Sequence, residues 1–214
     1  KCIETLDKRR FDRALLGSGD AFRHIVSLVP LLLHLNHPTL PGYVEDAPAG
    51  IADFILSNYQ QNFLSKEHPE LIEDVQSAVN SAAVFSPILG IYVMGSFGSI
   101  SQNSASDLDI WICHQDDLSE QEQQRLAEKT KKISQWASTY HVEMHFYLMT
   151  QQRFRNERYS DPLTKENSGS AQYMLLLEEF YRSAVRLAGK PLLWLHLWVE
   201  DEKQYEAEVA RLVA

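Results

Sequence analysis

Ile88-Leu89-Gly90-Ile91-Tyr92-Val93-Met94-Gly95-Ser96, followed after ten residues by Asp107-Leu108-Asp109-Ile110-Trp111-Ile112-Cys113, decides the fold. Both stretches are apolar runs rich in strand formers, so they read as strands of a buried sheet. Gly95 allows a tight turn behind the first strand. Ser96 and the amides after it fall where a helix N-terminus would begin, a natural cradle for phosphate. A strand period of two puts Asp107 and Asp109 on one face and sends Leu108 and Ile110 into the core. Two carboxylates on a buried sheet are costly unless a cation pairs them. Mg²⁺ prefers a couple of carboxylates together with phosphates and water.

Moving outward, Ser119 and Glu122 form a capping box for an amphipathic helix to about Tyr140, with Leu126, Ile133, Ala137 and Tyr140 on one face. His141 to Met149 alternates as a third strand. Val142, Met144, Phe146 and Leu148 point one way; Glu143, His145 and Tyr147 point the other. Glu143 is therefore the candidate third carboxylate, completing a metal triad and helping to deprotonate a hydroxyl. A polar loop (Tyr159–Ser168) precedes a helix from about Ser170 to Ala188, with Gly189 as its C-cap and Pro191 to Leu197 as a fourth strand. Towards the N-terminus, helices are expected with Ile3, Leu6, Phe11, Leu15 and Leu16 on one face, over Ala21 to about Leu35, and near Ala52–Ser65 and Pro69–Ala82. Pro30 should kink the second of these or end it early. The expected fold is α/β (α+β by another convention): a mixed sheet flanked by helices. Residues 1–85 form an N-terminal helical segment and 86–214 the catalytic core.

The chain has 214 residues and a formal net charge of −9. That charge argues against a nucleic-acid backbone as the main partner, which would need clustered Lys and Arg. It leaves room for a small nucleotide whose charge a metal ion offsets. Two cysteines, Cys2 and Cys113, give no disulfide framework and point to a reducing cytoplasm. No signal peptide is visible, and the longest apolar stretch, Ile25 to Leu35, is too short to span a bilayer. The start without Met and an end in mid-pattern suggest a piece of something longer.

Tyr92-Val93-Met94-Gly95-Ser96 with Ser106-Asp107-Leu108-Asp109-Ile110-Trp111-Ile112-Cys113-His114-Gln115 resembles the N-terminal catalytic region of class I, enterobacterial-type adenylate cyclases. Ile3-Glu4-Thr5-Leu6, Asp12-Arg13-Ala14-Leu15, His37-Pro38 with Leu40-Pro41-Gly42-Tyr43, and Leu177 through Phe180-Tyr181-Arg182 to Lys190 look like the same family. The Asp-x-Asp motif alone resembles only the wider polymerase-β-like nucleotidyltransferase superfamily, which implies a nucleotidyltransferase core for the mixed sheet. The family resemblance implies conversion of ATP to 3′,5′-cyclic AMP and pyrophosphate, with the 3′-hydroxyl attacking its own α-phosphorus. It implies two Mg²⁺ ions, or Mn²⁺ in their place, held by Asp107, Asp109 and Glu143, and β/γ-phosphates bound at Ser96. It also implies regulation by the sugar phosphotransferase system through a C-terminal region outside this chain.

Arg182, Arg186 and Lys190, four apart, form a basic stripe on the expected helix. They either contact phosphate or make a solvated face paired with Glu178 and Glu179. His114 reads as a satisfied strand-end residue, Trp111 as core, and His34 with His37 as too few for zinc. Phe97 and Ser99 are candidates to touch substrate, and Ser104 and Ser106 to brace the Asp-bearing strand. Two rivals stay open: transfer of AMP to a separate acceptor, and a nucleotide-binding fragment inactive without its C-terminal region.

Overall fold

The computed structural model describes residues 2–16, 18–82, 85–95, 97, 107–150, 152, 180, 182–197, 199 and 201–213. Ser96, Ser99, Ser104, Ser106, the expected Tyr159–Ser168 loop and most of the expected helix from Ser170 lie outside them.

Helices α1 (Cys2–Leu16), α2 (Asp20–His34), α3 (Asn58–Glu67) and α4 (Ile72–Ala82) precede strands β1 (Ile88–Met94) and β2 (Leu108–His114). Helix α5 (Glu120–Ser138), strands β3 (Met144–Thr150) and β4 (Val185–Gly189), and helices α6 (Leu192–His196) and α7 (Glu202–Val213) follow among the described residues. Among the described residues the sheet runs β3-β2-β1-β4. β1 pairs antiparallel with β2 and with β4, and β2 pairs parallel with β3 across α5. The expected mixed α/β sheet flanked by helices is thus present.

Period-two alternation gives the sheet two apolar faces. Ile91, Val93, Leu108, Ile110, Ile112, Met144 and Val185 share one core with α2 and α5. Tyr92, Met94, Trp111, Cys113 and Met149 form the opposite cluster with Phe180 and Leu195. Cys113 is buried and forms no disulfide among the described residues. Helix α2 is apolar almost all round because it is buried almost all round. It runs through Pro30 to His34 rather than ending early. Packing on all sides outweighs the one lost backbone donor.

Two buried polar groups fix the end of α2. The Nδ1 of His34 accepts from the Ile51 N–H at 3.0 Å, and its ring stacks on Phe54 at 4.0 Å. Burial pushes its pKa down to about 4. Lys129 of α5, 1% exposed, donates to the Leu35 carbonyl at 2.9 Å and to Asn36 Oδ1 at 3.0 Å. Burial lowers its pKa to about 7.

Several expectations are corrected. On α1, Phe11, Ala14 and Leu15 pack on the core while Leu6 and Leu16 are exposed. The i, i+3, i+4 stripe centred on Ala14 leaves those two to either side. The helix expected from Ala52 starts only at Asn58, under a Ser57–Gln60 capping box. Ile51 is committed to a bridge with Ile88, and the Ala52 N–H to the Ile88 carbonyl. Tyr140 falls beyond α5 and is exposed. The third strand begins at Met144, because His141 turns the chain at φ +59°.

The last four residues of the expected 170–188 helix, from Val185, belong to strand β4, and Gly189 ends that strand instead of capping a helix; Phe180, Arg182 and Ser183 are helical. Helix-forming Arg186, Leu187 and Ala188 are overridden by the free edge of β1. Gly189, at φ +87°, packs so closely on β1 that an added Cβ would collide with the Leu89 carbonyl and lie 2.6 Å from Gly90 Cα. Pro191 then starts a short helix where a strand was expected. It has no N–H to give a ladder, and as a helix the segment buries Trp194 and Leu195.

Gly189→Ala is expected to cost at least about 2 kcal/mol in urea unfolding, from strain and collision together. For His34, the unfolded chain binds more protons than the folded one between pH about 4 and 6.5. Its contribution is complete above that window and is lost as pH falls through it, to a maximum of about 3 kcal/mol. A calorimetric melting midpoint should drop between about pH 7 and 5. His34→Asn should flatten that drop; equal slopes in both proteins would contradict the assignment.

Candidate active site

The site lies at one end of the sheet, where β1 ends and β2 and β3 begin. The pairing Met94↔Asp109 sets the end of β1 beside the acid strand, and Asp109↔His145 sets β3 on its other side. Leu108 donates its N–H to the Glu143 carbonyl at 3.0 Å, which brings Glu143 level with Asp107. Ligand atoms of Asp107, Glu143 and His145 lie within 4.8 Å of one another, and all three side chains are exposed. His145 Nε2 is 3.2 Å from Glu143 Oε1.

Asp109 stands behind this group, half-buried on the sheet face that carries Trp111. Tyr147 donates to its Oδ1 at 3.4 Å. Its pKa is raised, chiefly by burial, with Asp107 and Glu143 adding repulsion while His145 and the Tyr147 hydroxyl oppose the rise. Three carboxylates thus converge where one face of an apolar sheet opens to solvent. A hard divalent cation fits this donor set, since it would relieve the repulsion and has exposed oxygens to bind. The imidazole of His145 would also suit Mn²⁺.

Gly95, at φ +81°, makes the turn that its sequence suggested. Its N–H donates to Ser183 Oγ at 2.9 Å. Phe97 does not line the site: it is 2% exposed and packs against Phe11 and Phe22.

The basic stripe does not form, because Arg186 belongs to β4. Arg182 is exposed beside Ser183. Arg186 faces a cavity of about 610 Å³ bounded by α1, α2 and β4, shared with Asp7, Asp53 and Glu202 and none of the acid-cluster residues. Lys190 pairs with Asp53 at 2.7 Å and lies 4.1 Å over the Trp194 ring. His114 is buried as a strand-end residue, its Nδ1 2.8 Å from the Gln115 carbonyl, and Trp111 is core.

Sequence reasoning gave no role to His145, Ser183 or Arg10. For His145 a signal existed, since alternation put it on the face of Glu143. Arg10 of α1 donates from Nη2 to the carbonyls of Ser183 at 2.5 Å and Phe97 at 3.3 Å, and from Nη1 to that of Ala184 at 3.3 Å.

The sequence profile of the family described as "Adenylate cyclase NT domain" matches residues 1–195. An adenylate cyclase of Haemophilus influenzae is 66% identical over 99% of this chain and 26% of its own length. One of Pasteurella multocida is 59% identical over 100% and 26%, and one of Escherichia coli 40% identical over 99% and 25%. The chain therefore spans about a quarter of the length of these relatives. A solved toxin–antitoxin structure with AMP-PNP aligns with 61% of this chain and 90% of its own, at 17% identity and a TM-score of 0.28. No helix among the described residues is long and apolar enough to cross a membrane. Identity of this extent over nearly every residue of the chain places it in the adenylate cyclase family, within the N-terminal domain.

Proposed function

We propose that this chain is the catalytic part of an adenylate cyclase, which converts ATP to 3′,5′-cyclic AMP and pyrophosphate. The cluster of Asp107, Glu143 and His145, with half-buried Asp109 behind it near the Gly95 turn, carries the reading, in a chain whose relatives are named adenylate cyclases. Asp107, Asp109 and Glu143 would hold Mg²⁺. When bound, the metal supplies charge neutralisation at the α-phosphate and lowers the pKa of the attacking hydroxyl.

The Gly95-Ser96 turn seats the β- and γ-phosphates. Because Ser183 takes the Gly95 N–H, Gly95 contributes backbone shape, and Ser96 the direct contact. The 3′-oxygen forms a bond to the α-phosphorus as the bond to the bridging oxygen of the β-phosphate breaks. The hydroxyl proton passes to the Glu143–His145 pair, and pyrophosphate leaves. Intramolecular attack needs no second substrate site and lowers the entropic cost. Arg182, adjacent to Ser183, is the nearer of the two arginines for the leaving pyrophosphate; Arg186 would have to swing out of its cavity. We place the protein in the cytoplasm, the setting that its two-cysteine composition suggests. The remaining length of the relatives is where control by the sugar phosphotransferase system would reside.

Incubation with ATP and Mg²⁺ should yield cyclic AMP and pyrophosphate; AMP transfer that depends on an added acceptor would overturn the reading. Asp109→Asn should lower turnover by about 10²-fold or more. Independently of turnover, Mn²⁺ titrated by electron paramagnetic resonance should bind about tenfold more weakly to Asp107→Asn or Glu143→Gln. Unchanged binding in both would remove these two from the metal site.

A further inference from the structure

The proposed phosphate turn is pinned on both sides of position 96. On one side the Gly95 N–H ends on Ser183 Oγ. On the other, the Phe97 carbonyl accepts from Arg10, and the Phe97 ring is wedged between Phe11 of α1 and Phe22 of α2 at centroid distances of 5.9 and 6.3 Å. Arg10 also reaches the carbonyls of Ser183 and Ala184, just before β4 begins. One half-buried guanidinium thus ties three carbonyls from two segments 86 positions apart, Phe97 and Ser183, to a helix near the start of the chain. A planar fork with five donors can do this; a lysine ammonium on a single point could not reach all three.

We propose that Arg10, acting through the Phe97 carbonyl and Ser183, is a positioning residue that fixes the backbone at Gly95 and at Phe97 and so sets affinity for the triphosphate of the nucleotide. This rests on the reading that the turn seats the β- and γ-phosphates. Among the described residues the hydrogen bonds of Arg10 go to backbone carbonyls, and its influence on the nucleotide passes through the turn. Because the turn engages the triphosphate in the ground state as well as during reaction, its loss weakens binding more than it slows chemistry. The same arrangement makes α1 part of the site, not merely cover for the sheet.

The test uses the complete natural polypeptide, with Arg10→Ala, Arg10→Lys, Ser183→Ala, the Arg10→Ala/Ser183→Ala pair, and Arg9→Ala as a control at an exposed position of the same helix. Affinity is measured for 3′-deoxy-ATP, which cannot cyclise, and for AMP, which lacks the β- and γ-phosphates. The expected result is an approximately tenfold loss for 3′-deoxy-ATP in Arg10→Ala and Ser183→Ala, with AMP affinity held within about twofold. The double variant should lose less than the product of the single losses, because both act on one turn. In cyclisation assays KM should rise more than kcat falls.

Equal losses for both nucleotides, or no loss for either, would overturn the proposal. So would full additivity. Should Arg10→Ala not fold, Arg10→Lys keeps the charge and carries the same comparison. Wild-type protein that binds 3′-deoxy-ATP but makes no cyclic AMP would refute the cyclase reading, while the affinity split would still decide the role of Arg10.

Discussion

Repulsion among three carboxylates, held at one end of an otherwise apolar sheet, is the constraint around which the rest of this molecule is arranged. Asp107, Asp109 and Glu143 would separate if the chain allowed it. The ladders β1–β2 and β2–β3 do not allow it, because their registers are fixed by side chains that must face two different cores. A slip of one residue in β2 would send Asp109 into the cluster around α2 and expose Ile110. Hydrophobic burial therefore does the electrostatic work of keeping like charges together. The pKa of Asp109 is raised chiefly by its burial in that sheet, with smaller contributions from Asp107 and Glu143.

The helices serve this arrangement unequally. Helix α2 fills one face of the sheet, and its end is fastened by two groups unusual in a core, a neutral imidazole and a lysine with two oxygen partners. Helix α5 carries that lysine and also makes the crossover that allows β2 and β3 to run parallel. Helix α1 packs less extensively but reaches the Gly95 turn through Arg10 and Phe11. Both sides of the acid strand are thereby positioned from elements that lack acids of the site.

The central strands were legible because their signals are local. Gly95 marks its own turn, and period-two alternation assigns Asp107, Asp109, Glu143 and His145 to faces without knowledge of the fold. Family likeness supplied the nucleotide chemistry, which alternation alone could not. Strand β4 was illegible because Arg186, Leu187 and Ala188 favour helix locally, and only the open edge of β1 makes them a strand. The basic stripe failed with it, since a spacing of four means a shared face only on a helix. Arg10 escaped notice for a different reason: its partners are backbone carbonyls, which every residue has, so nothing in the sequence distinguishes them. Lys129 resembles any polar residue of an amphipathic helix until the carbonyl of Leu35 is found above it.

The parallel pairing of β2 with β3 also bears on the order in which the chain assembles. Asp107 and Glu143 are 36 positions apart, and the crossover through α5 must close before their strands can pair. Parallel contacts of this kind are made only after the entropy of closing the crossover has been met. During synthesis β1 and β2 can pair as an antiparallel unit while Glu143 is still unmade. The acid cluster is then a late product of folding, and a chain halted before β3 would carry the Asp-x-Asp motif without the third carboxylate.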